Sequence, residues 1–240
     1  MKKITIAGLL LISSAVVVNT AFALLGTTFD YPEILQRPAA EVLARFGANP
    51  VVIGAGFAVL AAGAAMMAPI AVRISRQLPS GRVGTVAAVV GVAAAIVQVI
   101  GLLRWPLVVP FLATAMDGAS IARQTDITAW FISLNAVLGQ GIGETLGYLF
   151  TAAWTVLVAI ALRQSRAIGL LLALLGFASA ALILTGDLIP FGMPGADAAN
   201  FIGYVLWSVW LVLLGITFIR RGIRSASAAP GTQPTPTLAS

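Results

Sequence analysis

Six long apolar runs constrain this chain more than any other feature of it. They cover about Ile4–Leu25, Val51–Val72, Val83–Leu103, Glu144–Leu162, Ala167–Gly186 and Phe201–Ile219. Each is close to the ~20 residues that cross a ~30 Å hydrocarbon layer at 1.5 Å per residue. A soluble fold would have to hide all six at once. Of the 240 residues, 60% are hydrophobic and 9% are charged, against about 25% charged in an ordinary soluble domain. The polar surface needed to cover a soluble core is missing. The pattern excludes a soluble globular enzyme and a disordered chain. It predicts an all-α, polytopic helical membrane bundle of six transmembrane helices.

Basic residues of short loops stay on the cytoplasmic side. With the N-terminus inside, that side receives Lys2, Lys3, Arg73, Arg76, Arg82, Arg163, Arg166, Arg220, Arg221 and Arg224, ten of the 14 basic residues. Arg37, Arg45, Arg104 and Arg123 fall outside or at the outer edge, together with all eight acids: Asp30, Glu33, Glu41, Asp117, Asp126, Glu144, Asp187 and Asp197. Both termini are therefore expected in the cytoplasm, with long extracytoplasmic loops. Residues 1–224 form one six-span membrane domain, and 225–240, rich in Ser, Ala, Pro and Thr, reads as a disordered cytoplasmic tail. A rival reading takes Lys2-Lys3, an apolar stretch and Ala21-Phe22-Ala23 as a signal peptide cleaved after Ala23. The apolar stretch exceeds a signal core of ~7–15 residues, which favours the uncleaved span.

The outer connections carry their own patterns. Phe29-Asp30-Tyr31-Pro32 opens as a turn, because a residue before proline is pushed out of the helical region. After it, Val42, Leu43 and Phe46 fall at helical spacing with Glu41 and Arg45 at i, i+4, which predicts a short amphipathic helix lying on the outer surface. It reads equally as a solvated loop helix or a functional lid. The stretch 104–143 is the least regular. Trp105, Pro106 and Pro110 mark an interfacial bend. A single helix over Ile127–Leu162 would reach ~54 Å at 1.5 Å per residue, so it projects outward or breaks. Gly139, Gly141 and Gly143 are the expected break or bend.

Polar groups within spans are costly and are candidates for function. Arg104 ends the third run and Glu144 opens the fourth, both at the outer level. A salt bridge between them would serve as a structural clamp or as part of a ligand site. Alternatively each side chain snorkels to the headgroups. Gln140, Glu144 and Tyr148 follow at i, i+4, i+8 on one helix face. Gly139, Gly143 and Gly147 form a small-residue stripe beside it, favoured here as packing. Gln98 lies ~9 Å deeper than Arg104 along its helix. Asn19 lies in the outer half of the first span, Asp187 closes the fifth, and Asn200 with Tyr204 opens the sixth. Arg104, Glu144, Gln98, Gln140, Tyr148, Asp187 and Asn19 are thus the candidate outer polar cluster. The inner halves offer only Thr5, Ser13, Ser14, Thr85, Thr155 and Thr217, hydroxyls that their own helix backbone can satisfy. An ion or proton path needs acids, amides or unwound helix across the full thickness, and no internal repeat suggests a transporter.

The residue inventory removes much chemistry. The chain has no Cys and no His, so thiolate metal sites, iron–sulfur clusters, His-ligated haem or zinc and a Ser-His-Asp triad are excluded. The only lysines are Lys2 and Lys3, which leaves no amine for a Schiff base within the membrane. No cofactor and no metal are expected. The net charge of +6 is dispersed among apolar runs as topology signals, so nucleic acid is not a partner.

Four segments in order carry a resemblance. They are Phe29-Asp30-Tyr31-Pro32-Glu33-Ile34-Leu35-Gln36-Arg37-Pro38, Gly101-Leu102-Leu103-Arg104-Trp105-Pro106, Gly143-Glu144-Thr145-Leu146-Gly147-Tyr148, and Asn200-Phe201-Ile202-Gly203-Tyr204 with Leu206-Trp207-Ser208. Over about residues 5–222 the chain resembles the bacterial family known as domain of unknown function 4386. The resemblance implies a small multi-pass protein of a bacterial inner membrane, without an assigned activity, substrate or site.

Three functions compete. The favoured one is a non-enzymatic membrane protein with an outward-facing polar rim or pocket that binds a lipid or membrane-protein partner. The second is a small-solute transporter, revived by any water-filled route through the inner half. The third is an intramembrane enzyme using Glu144 with Tyr148 or Asp187 for acid–base chemistry. The oligomeric state is not legible.

Overall fold

A computed structural model of the chain describes residues 2–78 and 82–227. Among them every regular element is helical, and six rods are long and apolar enough to cross a membrane: Ile4–Phe29, Pro50–Ser75, Arg82–Met116, Ile121–Gln164, Leu170–Phe191 and Ala196–Ile223. Each predicted run falls on its own rod. The α-helices in chain order are α1 (Lys2–Phe29), α2 (Ala39–Ala48), α3 (Pro50–Ala65), α4 (Met67–Ser75), α5 (Arg82–Leu107), α6 (Val109–Met116), α7 (Ile121–Leu134), α8 (Gly147–Gln164), α9 (Leu170–Leu184) and α10 (Ala196–Ser227). Short 3₁₀ segments cover Glu33–Gln36 and Thr185–Phe191. The helix α10 carries regular structure to Ser227, past the expected start of the tail; 228–240 lie outside the described residues.

Proline explains two of the joints. The helices α3 and α4 meet at Met66, and Pro69 has no N–H to give the carbonyl four residues back. The helix α5 keeps Pro106 in its last turn, and α6 restarts after Val108 with Pro110 near its beginning. The bend expected at Trp105–Pro110 is therefore present, but 104–143 is not irregular: nearly all of it is helix. The glycines at 139, 141 and 143 do not break the fourth rod either. Residues Asn135–Leu146 form a π-helix between α7 and α8, so the rod runs on and projects beyond the bundle. The wider i→i+5 turn of a π-helix absorbs the glycines without a chain reversal.

The spans close into a ring in the order α1, α3–α4, α5–α6, the α7–π–α8 rod, α9 and α10, which returns to α1. Both the start of α1 and the end of α10 lie at one end, where Gly222 packs against Thr5 and Gly215 against Gly8. Near that end the interior is filled by Leu11, Ile70, Ile74, Trp154, Val158, Leu162, Trp210, Leu214 and Phe218, each at most 1% exposed. At the opposite end α2, α6 and α7 form a cap over a second core. The helix α2 is amphipathic as expected, with Ala40, Glu41, Ala44 and Arg45 exposed on its outer face. Its Val42, Leu43 and Phe46 are buried against a core that also holds Phe29, Ile34, Phe57, Trp105 and Phe131. Trp105 stacks on Phe57 with centroids 4.7 Å apart, and Phe29 meets Trp105 edge-on at 5.2 Å. The apolar stripe that fits a water surface fits a protein core equally well, and the projecting α6 and α7 supply that core. The ion pair of α2 differs from the expected Glu41–Arg45 pair: Arg37 Nη1 lies 3.9 Å from Glu41 Oε1.

Candidate functional site

Just below the cap, α5 crosses the π-helix and the start of α8 at very short range. Three residues of α5 meet three glycines. Gly101 faces Gly143 so closely that a Cβ on Gly101 would sit 2.6 Å from the Gly143 Cα. One turn toward the cap, a Cβ on Gly139 would sit 2.7 Å from Arg104 Nη2. One turn the other way, a Cβ on Gly147 would sit 3.1 Å from Gln98 Cγ. The small-residue stripe at 139, 143 and 147 is thus a packing device, as its spacing indicates. It also brings two polar side chains, Gln98 and Arg104, against the fourth rod.

Arg104 is only 5% exposed. Its Nη1 donates to the Gly101 carbonyl and its Nη2 to Asn135 Oδ1 at 2.8 Å. Its guanidinium carbon lies 5.2 Å from the Trp105 ring centroid, within cation–π range. Its Nε has no partner. Arg104 makes no ion pair with Glu144; the guanidinium is held by a carbonyl, an amide and an indole. Glu144 lies within electrostatic reach of Arg104, Tyr31, Tyr148 and Tyr204, yet its half-buried carboxylate receives no hydrogen bond among the described residues.

Tyr31 enters this site from the segment after α1. Its ring packs edge-on against Phe22 at 5.4 Å and Phe57 at 5.2 Å. Burial pushes its hydroxyl up to about 12; the Glu144 carboxylate adds to the rise and Arg104 opposes it. Tyr148 and Tyr204 face each other with centroids 5.9 Å apart. Asp187 reaches both electrostatically, and its Oδ1 is buried without a hydrogen-bond partner. Its neighbour Gly186 is packed against Tyr148 and Asn200. Asn200 donates to the Ile183 carbonyl at 2.6 Å, which fixes α10 to the end of α9.

A chain of hydrogen bonds closes the floor. Gln98 Nε2 donates to Thr151 Oγ1 at 2.9 Å, Thr155 Oγ1 donates to the Thr151 carbonyl at 2.8 Å, and Trp207 Nε1 donates to Thr155 Oγ1 at 2.8 Å. The Tyr204 hydroxyl also meets the Thr151 side chain. These bonds tie α5, α8 and α10 together beside the apolar core.

The structure thus brings together Arg104, Glu144, Gln98, Tyr148 and Asp187 from the expected cluster, and adds Tyr31, Asn135, Thr151, Tyr204 and Trp207. It leaves out two. Gln140 is exposed and lines a neighbouring hollow of about 330 Å³ with Leu35, Arg37, Val42, Phe131 and Asn135, the last shared with the cluster. Asn19 is committed to a span contact, donating to the Ala15 carbonyl at 2.7 Å and to Ser208 Oγ at 2.9 Å.

Fold and site together define a multi-pass helical membrane protein with a polar cluster held in one half of its bundle, under a helical cap. The model of the family described as a domain of unknown function (DUF4386) matches residues 6–215, and the chain belongs to that family. No curated protein and no solved structure matches it.

Proposed function

We propose that this chain is a non-enzymatic protein of a bacterial inner membrane whose capped end faces outward. There it holds a one-sided polar pocket that binds a lipid or a membrane-protein partner. The observation that carries this reading is the position of Glu144. It is an unpaired carboxylate beside Tyr31, Tyr148 and Tyr204, next to a hydrogen-bonded floor and a closed apolar core. An unpaired carboxylate kept out of bulk water is costly, and a bound partner would offset that cost. The distribution of charge supports the orientation. Arg73, Arg76, Arg82, Arg163, Arg166, Arg220 and Arg221 gather at the end opposite the cap, as cytoplasmic loops do.

A transporter is the second reading, and the filled core weighs against it. Trp154 and Trp210 meet edge-on at 5.9 Å across the interior, and the buried hydroxyl of Ser179 is bonded to its own helix. Native mass spectrometry of the protein released from lipid nanodiscs, with Glu144→Gln beside it, tests the binding reading. A reproducible adduct on the native chain that is lost in the variant is expected. Ligand-free spectra for both would overturn it.

A further inference from the structure

We infer that the hollow at the edge of the cap seats the phosphate headgroup of an anionic phospholipid. The hollow holds about 330 Å³ and shares only Asn135 with the Glu144 cluster. Ligand pockets span ~300–1,000 Å³, so it is large enough to be a second site, and Glu144 has no part in it. Its polar groups favour an anion. Arg37 brings a guanidinium from the segment just before α2. Asn135 brings an amide whose oxygen is already taken: Oδ1 accepts from Arg104 Nη2 at 2.8 Å. The part of that amide left for a ligand is its NH2 group. Arg104 is only 5% exposed, so this bond fixes the amide from the buried side and polarises its free N–H groups. Gln140 adds an exposed amide. Among the described residues no Asp or Glu lines the hollow. Glu41 lies 3.9 Å from Arg37 Nη1, yet both side chains are more than half exposed, and such a pair holds weakly.

Depth and walls make the anion a lipid's. The Arg104–Asn135 bond holds Asn135 at the level where the third apolar run ends. A run that fills the hydrocarbon layer ends where the headgroups begin. Leu35, Val42 and Phe131 line the hollow beside the donors. A phospholipid offers both kinds of contact. Its phosphate suits a guanidinium, which binds phosphate oxygens in a bidentate fork. Its glycerol and first chain carbons suit the apolar wall. A choline or ethanolamine head would bring a second cation to Arg37. A head without one, such as phosphatidylglycerol, keeps the full attraction that basic residues exert on anionic lipids.

Native mass spectrometry in detergent, titrating phosphatidylglycerol or phosphatidylcholine of the same chains, tests this. The native chain should hold phosphatidylglycerol about tenfold more tightly. Arg37→Gln and Asn135→Asp should each weaken that binding about tenfold. The aspartate keeps an oxygen for Arg104 but offers the ligand a negative charge in place of an NH2 group. Glu41→Gln frees Arg37 and should tighten binding, whereas a purely structural Arg37–Glu41 pair predicts no gain. Arg123→Gln, an exposed position of α7 outside the hollow, should change nothing. Glycerol phosphate, the head without its chains, should bind about tenfold more weakly than the lipid, since the apolar contacts are lost. Equal affinity for the two lipids would overturn the inference. So would equal binding of glycerol phosphate, or full affinity in Arg37→Gln. The comparison of lipids needs no variant, so a variant that fails to fold does not void it. Retention in Glu144→Gln with loss in Arg37→Gln would uphold this site and remove the one at Glu144. Loss in Glu144→Gln alone would do the reverse.

Discussion

The contact between Gly101 and Gly143 is the joint on which the polar cluster depends, and Gly101→Ala tests it. A Cβ at 101 would lie 2.6 Å from the Gly143 Cα and 3.0 Å from the Leu138 carbonyl oxygen. Both obstacles are backbone, so α5 and the π-helix must separate by about 0.8 Å to reach an ordinary 3.4 Å contact. Two hydrogen bonds span that joint, Gln98 to Thr151 at 2.9 Å and Arg104 to Asn135 at 2.8 Å. An added ~0.8 Å would stretch both past the useful range. Overpacking costs about 1–3 kcal/mol, and each weakened bond about 1 kcal/mol more. The better helix propensity of alanine returns about 1 kcal/mol. The net loss is about 2–4 kcal/mol, which lowers the melting temperature of a chain of this size by roughly 5–15 °C. Gly141→Ala is the matched control. Its Cβ would meet nothing nearer than the Ala136 carbonyl oxygen at 3.4 Å. Circular dichroism melts in one detergent should therefore show Gly101→Ala well below the native chain and Gly141→Ala at or slightly above it. Equal melting temperatures for the two variants would refute the close-crossing account.

Other outcomes follow from the same geometry. Asn135→Leu should cost about 1.5–3 kcal/mol, because it removes a hydrogen bond to a buried guanidinium. A double-mutant cycle between Arg104 and Glu144 should show coupling of less than about 1 kcal/mol, since the two make no direct pair; chemical denaturation of the four proteins measures both. Phe46→Ala should cost about 3–5 kcal/mol and expose the cap to limited proteolysis around 38–49 before the spans unfold. Tyr31 is neutral in folded and unfolded chains below pH 10. Between its ordinary value of 10.0 and its buried value of about 12, only the unfolded chain gives up the proton. Stability should then fall as pH rises through that window, by up to ~1.4 kcal/mol per unit, and Tyr31→Phe should flatten the slope.

The spans were legible because length and hydropathy are properties of single segments. The cap was only half legible. The apolar stripe of α2 was visible in Val42, Leu43 and Phe46, but its partners sit on α6 and α7, more than 60 residues later in the chain. The glycines of the π-helix were visible too, and by propensity they signal a break. Their role depends on Gly101 and Arg104 arriving from another helix, which no local pattern records. Thr155 was expected to satisfy itself on its own helix, and it does so through the Thr151 carbonyl. Its oxygen can still accept a bond, and it takes the one from Trp207. Asn135 could have been found as the lone amide within the apolar stretch around Ile127–Leu138. Tyr31 could not, because proline chemistry places it in a turn and only the tertiary fold returns that turn to the bundle.

The central claim is that the polar cluster opens toward the capped end and is sealed toward the other. The chain has no Cys of its own, so single substitutions can be labelled without background. Tyr148→Cys sits in the cluster, and Val158→Cys sits in the core beneath it, at 0% exposure. In oriented membranes, an impermeant cationic thiol reagent should modify Tyr148→Cys from the capped side only. It should fail to reach Val158→Cys from either side. Modification of Val158→Cys from the side opposite the cap would mean that a water-filled route crosses the bundle, and the one-sided pocket would give way to a transport path.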